Sequence, residues 1–366
     1  TLADAALTAA LAVAIRETYG DDDPDSRLAI MAMGKCGARE LNYISDVDVI
    51  FIAEPATAPA TKTASTVMQL GTACFFEVDA NLRPEGKSGA LVRTVDSHLA
   101  YYKRWAQTWE FQALLKARPM TGSAELGQRY IAALRPLVWE ASQRTSFVED
   151  VQAMRRRVLE HVPKDLRERE LKLGSGGLRD VEFAVQLLQL VHGRIDPSIR
   201  VKNTVDALQV LTDGGYIGRE DGAKLIDAYE FLRLLEHRLQ LTRFKRTHQL
   251  PKPDDAKALR WLARTSGFRT GPRATATEAL RTRLKQVRFT VANLHERIFY
   301  RPLLSAVVNL SYGEATLSAD AVKAQLAALG YRHPARAHDH LTALVKGTSR
   351  RAKLQAILLP SLMHWL

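Results

Sequence analysis

Only two cysteines occur in 366 residues, Cys36 and Cys74. That is too few for a disulfide framework or a four-ligand zinc site, and points to a chain working in a reducing cytoplasm. No stretch comes near the ~18 consecutive apolar residues that a membrane span requires, so no membrane partner is expected. The most apolar N-terminal segment, Leu2 to Ile15, is Ala-rich, carries Asp4 and lacks a basic leader, and so reads as a helix and not a signal peptide. An initiating methionine is missing too, and a chain opening on Thr1 suggests a piece of something longer. No internal repeat or low-complexity tract stands out. What is there, 46% hydrophobic and 25% charged residues, is the composition of an ordinary folded protein with room for two or three domains of roughly 150 residues.

Charge is unevenly placed within the formal +12. Residues 1–100 hold 8 Lys/Arg against 14 Asp/Glu, whereas residues 101–366 hold 44 against 26. An acidic part joined to a basic part suits a metal-dependent site facing a phosphate-bearing substrate. The plainer account is a set of solvated helix faces. Nucleic acid is the reflex reading of a pI of 9.7. Against it, no compact Lys/Arg run and no base-stacking set of aromatics is present.

The hydrophobic period changes along the chain. Helical spacing covers residues 2–18, and extended apolar runs predict strands over 27–33 and 47–53. Residues 55–64 read as a Pro/Ala/Thr loop, followed by a short helix over 66–73 and two further strands over 75–82 and 89–93. Everything after about Ser97 has helical spacing, punctuated near 119–122, 174–177, 214–215 and 271–272. A small mixed sheet followed by a large helical body is an α+β arrangement.

Ser45-Asp46-Val47-Asp48 opens a strongly apolar strand, so Asp46 and Asp48 project from one face with Val47 behind them. Carboxylates held so close repel unless a cation sits between them, and an oxygen-only donor set suits Mg²⁺. Glu77, Asp79 and Asn81 share a face of the next acidic strand, which makes Asp79 the central candidate to join the pair. Upstream, the Gly34-Lys35-Cys36-Gly37 turn lies where backbone N–H groups can approach a phosphate. The alternative is an ordinary βα turn ahead of a solvent-facing acidic edge. From Leu178 to Val191 a nearly all-apolar helix carries one polar stripe, Arg179, Glu182, Gln186 and Gln189, which must face partners or a ligand; an internal salt-bridge network is the plain reading. His237 lies on a similar stripe and reads as a packed histidine before a catalyst. Trp105 and Trp109, at i and i+4, are expected in the core, with Glu110 and Lys116 as candidates for buried pairs.

The stretches GKCGARELNYISDVDVIF, VDANLRPEGKSGALV, TWEFQALLKAR, KLGSGGLRDVEFAVQLLQLVHG and LRLLEHRLQ together resemble the bifunctional glutamine synthetase adenylyltransferase/adenylyl-removing enzymes of bacterial nitrogen control, of the actinobacterial kind. The resemblance covers most of residues 28–310. It implies a polymerase-β-like nucleotidyltransferase domain over 1–120, a helical bundle over 121–312 that completes the active site, and the start of a helical linker or regulatory region over 313–366. In that family one half attaches AMP from ATP to a tyrosine of glutamine synthetase, and the other removes it by phosphorolysis, releasing ADP. Asn42, where the adenylylating half tends to have Gly, and the helical continuation over 314–366 favour the adenylyl-removing half. By resemblance, Asp46, Asp48 and Asp79 are the catalytic residues and ligands of one or two Mg²⁺ ions. Gly34, Lys35, Ser45 and Arg83 would meet nucleotide and phosphate, with Lys172, Arg179 and Glu182 closing from the helical side. The implied partners are adenylylated glutamine synthetase and, through the full-length enzyme, a nitrogen-signalling regulatory protein. Two other readings stay open: forward adenylylation by the same kind of site, and a non-catalytic docking module.

Overall fold

The computed structural model describes residues 1–144, 147–160 and 162–310, together with Ala335, Arg336 and Asp339. Apart from those last three, the region expected over 313–366 lies outside the described residues. The chain divides into two compact units, Thr1–His295 and Glu296–Leu366, and the site lies in the first. Among the described residues no helix is long and apolar enough to cross a membrane.

The chain enters α1 (Leu2–Tyr19) through a capping box, in which Thr1 and Asp4 exchange side-chain-to-backbone hydrogen bonds. β1 (Arg27–Ala32) leads through the short α2 (Gly34–Gly37) to β2 (Val47–Glu54), and the two strands pair antiparallel with Met31 opposite Ile50. α3 (Ala58–Cys74) takes in most of the stretch expected as loop. Thr57 accepts from the Ala60 amide at 3.2 Å, and Pro59 stands in the first turn, where a missing N–H leaves no bond unmade.

Both later strands are shorter than the apolar runs predict. In β3 (Val78–Asp79), the amides of Phe75 and Phe76 turn back to the Gly71 carbonyl and close α3, while the Asn81 amide donates to the Asp79 carboxylate at 2.7 Å and ends the strand. β4 (Val92–Arg93) keeps only the end of its run. Each lies parallel along the same edge of β2, β3 beside Val47–Asp48 and β4 beside Phe51–Ile52. On the far edge, β5 (Arg118–Gly122) pairs antiparallel with β1 through a register shift between Ile30 and Met31. The helical spacing after Ser97 hides this strand. The order is β3-β2-β1-β5, with β4 beside β2: a small mixed sheet, as expected.

Leu7, Leu11, Val67, Ile30, Val49 and Phe51 form the core between the sheet, α1 and α3. The other face is covered by α6 (Ala124–Glu140), whose Gly127 sits against Pro119 and Met31. Each fully buried strand residue such as Ile50 or Ile52 contributes roughly 1.5–3 kcal/mol. α4 (Val95–Arg104) and α5 (Thr108–Leu114) lie between β4 and β5. Beyond α6 the described chain is helical: α7 (Phe147–Glu160), α8 (Leu178–His192), α9 (Thr204–Asp213), α10 (Arg219–Arg243), α11 (Ala256–Thr265) and α12 (Ala276–Leu310). The two tryptophans expected inside are 65% and 38% exposed. Helix α4 stops at Arg104 and α5 starts at Thr108, so Trp105 and Trp109 share no helix face and the i, i+4 argument fails.

Candidate active site

The antiparallel turn from β1 to β2 and the parallel pairing of β2 with β3 bring three carboxylates together. Asp48 stands directly beside Asp79 in the ladder, and Asp46 precedes the strand on the same face. One oxygen from each of the three lies within 4.8 Å of the others, and all three side chains are half-buried. Burial pushes the Asp48 carboxyl up to about 6, and the negative charges of Asp46 and Asp79 add to the rise. The donors are all oxygens and the cluster carries more negative charge than its surroundings favour, which fits a hard divalent cation.

Gly34 makes this packing possible. Its φ of +50° lies in the left-handed region, and a Cβ there would collide with the Asp48 carboxylate. Met33 donates its amide to the Asp48 carbonyl at 2.9 Å, which ties the turn to the strand.

Asp46 and Asp48 open on a cleft of about 330 Å³ that is also lined by cations. Lys35 comes from α2, Lys172 from the loop before α8, Arg179 from the first turn of α8, and Arg246 from the segment after α10. Two pairings place the last of these. The Leu171 amide donates to the His248 carbonyl at 2.8 Å, and the Leu250 amide to the Arg169 carbonyl at 2.8 Å, which stitches the loop before α8 to residues 248–250. Arg246 then reaches Asp46 at 2.7 Å and Glu77 at 3.5 Å. Burial pulls the Lys172 ammonium down to about 8, helped by the neighbouring Lys35 and Arg179.

The polar stripe of α8 divides by depth. Glu182 faces the cleft, 3.5 Å from Lys35 and 3.9 Å from Arg179. Burial works against its charge, but the cations Lys35, Arg179, Lys116 and Lys172 outweigh that and hold its carboxyl well below the usual range. Gln186 accepts from Gln112 at 2.5 Å at the cleft wall, whereas Gln189 is spent on the carbonyls of Ile199 and Val201. Three of the four stripe residues, Arg179, Glu182 and Gln186, therefore line the cleft, and Gln189 belongs to an internal network.

Gly34, Lys35, Ser45, Asp46, Asp48, Lys172, Arg179 and Glu182 are thus brought to one cleft, with Asp79 beside them in the carboxylate cluster. Arg83 is not. Its guanidinium donates to the carbonyls of Ala80, Lys87 and Gly89, so it organises its own loop. Sequence reasoning missed Arg246, His248, Trp109 and Asn42, all of which line the cleft. Arg246 and His248 carry no local signal, because only the long-range pairing of 169–171 with 248–250 delivers them. Lys116 does not pair with Glu110, which instead caps α5 by accepting from the Gln107 amide at 2.7 Å. It pairs with Glu40, and both reach Thr204 at 3.0 Å, a buried link from the segments after α2 and α5 to the start of α9. His237 packs edge-on against Tyr43, with its ring nitrogen 3.3 Å from Asn42.

Comparison with known proteins places two family profiles on the chain. Residues 1–133 match the family described as glutamate-ammonia ligase adenylyltransferase, and residues 152–299 match GlnD PII-uridylyltransferase. Over its full length the chain is 68% identical to a bifunctional glutamine synthetase adenylyltransferase/adenylyl-removing enzyme of Corynebacterium glutamicum. The identity is 67% to that of Corynebacterium efficiens and 66% to that of Corynebacterium diphtheriae. In each case the chain spans about 35% of the relative's length.

Proposed function

We propose, for a chain that belongs to the family of bifunctional glutamine synthetase adenylyltransferase/adenylyl-removing enzymes, that this cleft removes AMP from an adenylylated tyrosine of glutamine synthetase by phosphorolysis. The observation that carries the reading is the Asp46/Asp48/Asp79 cluster at a cleft that Lys35, Lys172 and Arg179 also line. The three carboxylates would hold one or two Mg²⁺ ions, whose chemistry is neutralisation of charge at the reacting phosphorus. We read the sheet and its covering helices, residues 1–120, as a polymerase-β-like catalytic domain. Residues 121–312 are then the helical body that closes the site, and 313–366 the start of a linker.

In this reading an oxygen of inorganic phosphate attacks the phosphorus of tyrosyl-AMP. The new P–O bond makes ADP, the bond to the tyrosine oxygen breaks, and the proton carried by the attacking phosphate passes to the phenolate. A phenolate leaving group with a pKa near 10 needs little acid assistance, so electrostatics carries most of the work. Lys172, at about 8, stays mainly protonated at pH 7 and together with Arg179 binds the phosphate oxygens. Glu182 holds Lys35 and Arg179 in place from beneath. Lining by Gly34 and Ser45 leaves room for the nucleotide phosphate.

The test mixes the chain with adenylylated glutamine synthetase, Mg²⁺ and inorganic phosphate and assays ADP. Phosphate-dependent ADP supports the reading. Incorporation of AMP from ATP into unmodified glutamine synthetase instead would establish the forward reaction, which the adenylyltransferase profile over 1–133 favours. Silence in both, with no Mg²⁺ bound, would leave a docking module. The full-length enzyme, acting in the cytoplasm, would also receive a nitrogen-signalling protein.

A further inference from the structure

Among the described residues, Arg246 is the one cation within ion-pair distance of any member of the carboxylate cluster. Its guanidinium sits 2.7 Å from Asp46 and keeps a second, looser hold on the exposed Glu77. Of the other cleft cations, Lys35 and Arg179 are committed to Glu182, while Lys172 acts on Asp48 only by its charge and makes no ion pair with the cluster. Lys35 is half-buried against Glu182, and Arg179 lies over the Phe183 ring with Glu182 beside it. Arg246 differs in that its side chain is 44% exposed while the backbone around it is fixed. The Lys245 amide is bound to Gln240 at 3.1 Å, and His248 is held by its carbonyl to Leu171 and by its ring to Glu236 at 2.7 Å. The chain therefore anchors the stem of Arg246 and leaves the fork free to swing across the cleft mouth.

A guanidinium and a divalent ion compete for the same Asp46 oxygens and repel each other at that distance. The planar fork that grips a carboxylate also suits a phosphoryl group, so the displaced Arg246 has a second partner of the right chemistry within the same cleft. We infer that Arg246 is a partner-exchanging positioning residue: it neutralises Asp46 until a divalent ion takes its place, and then turns to the phosphoryl oxygens of the substrate. This rests on the metal-dependent reading of the cleft. Its consequence is linkage. Ion and phosphate each favour the other's binding, because each stabilises the same swung-out state of Arg246, and that coupling is reciprocal.

The experiment titrates Mn²⁺ into the wild-type chain, Arg246→Gln and Arg246→Lys by electron paramagnetic resonance, then titrates inorganic phosphate into each at saturating Mn²⁺ by calorimetry. Loss of the competing guanidinium is expected to tighten Mn²⁺ binding about fivefold in Arg246→Gln, the size that an exposed ion pair allows. The same variant is expected to bind phosphate several-fold more weakly, with Arg246→Lys between the two. A damaged fold would weaken both, so opposite signs are the signature of partner exchange. Equal or weaker Mn²⁺ binding in Arg246→Gln overturns the inference while leaving the metal site standing. If neither wild type nor variant binds Mn²⁺, the metal-dependent reading falls, and the inference with it.

Discussion

Gly34 and the Asp48 carboxylate lie so close that one methyl group on Gly34 would collide with it. The turn from β1 to β2 is therefore built around a missing side chain, and the carboxylate cluster depends on it. Gly34→Ala meets two penalties, a left-handed φ of +50° and the clash itself. Together they are expected to cost about 1–3 kcal/mol and to weaken Mn²⁺ binding at least about tenfold by pushing Asp48 out of register. Calorimetric unfolding and metal titration of the same preparation read both. An unchanged Mn²⁺ affinity would mean that the turn does not hold the cluster.

Asp48→Asn should separate stability from activity. The wild-type carboxyl is pushed up to about 6 by burial and by Asp46 and Asp79, so the charged form is disfavoured when no cation is bound. The neutral amide removes that repulsion. Without Mg²⁺ the variant is expected to melt at the same temperature or a few degrees higher, while Mg²⁺-dependent turnover falls at least about 100-fold. Asp46→Asn should lose turnover in the same way with the fold intact. Near-normal turnover in either variant would sink the assignment of the cluster.

The buried Lys116–Glu40 pair ties the segments after α2 and α5 to the start of α9 through Thr204, and both side chains are less than a tenth exposed. Removing one partner leaves a buried charge with nothing opposite. Lys116→Met is expected to cost about 3–5 kcal/mol in urea unfolding. The double variant with Glu40→Leu should cost less than the sum of the two singles, because it removes both charges. Additive costs would show that the two groups do not act on one another.

How much of this was legible beforehand depended on the range of the interaction. Asp46 and Asp48 sit on a strand whose period of two is local, and β2 runs where the apolar residues put it. Asp79 was readable because β3 follows a few turns later with its own acidic alternation, although only Val78 and Asp79 are extended. The apolar wheel of α8 announced its burial, and Glu182 on it announced a partner. By contrast β5 has Pro119 within it and Gly122 at its end, which reads as punctuation when no neighbour is known. Arg246 reached the cleft through backbone pairing between segments about eighty residues apart in sequence. Arg83 looked like a phosphate ligand by its motif, but the carbonyls of its own loop satisfy the guanidinium first.

His98 supplies the clearest pH dependence. It lies on α4, 1% exposed, with Nδ1 at 3.0 Å from the Thr94 carbonyl, its ring edge-on to Tyr130 and its Nε2 without a partner. Burial pulls its pKa from 6.5 down to about 4, a shift that Arg93 reinforces. In the unfolded chain the imidazole takes up a proton first, so the stability contributed above pH 6.5 is lost as pH falls from there through about 4. The loss reaches on the order of 2 kcal/mol by pH 5 and about 3 kcal/mol at the lower end. Asp48, whose pKa is raised, acts in the opposite direction across much of the same window, so the raw stability curve mixes the two. The readout is therefore the difference between wild type and His98→Phe, which cancels Asp48. Urea unfolding of both at pH 7, 6, 5 and 4.5 should show the variant gaining on the wild type at each step down. Parallel curves would mean that His98 titrates normally in the folded chain, and that water reaches a ring placed here in the core.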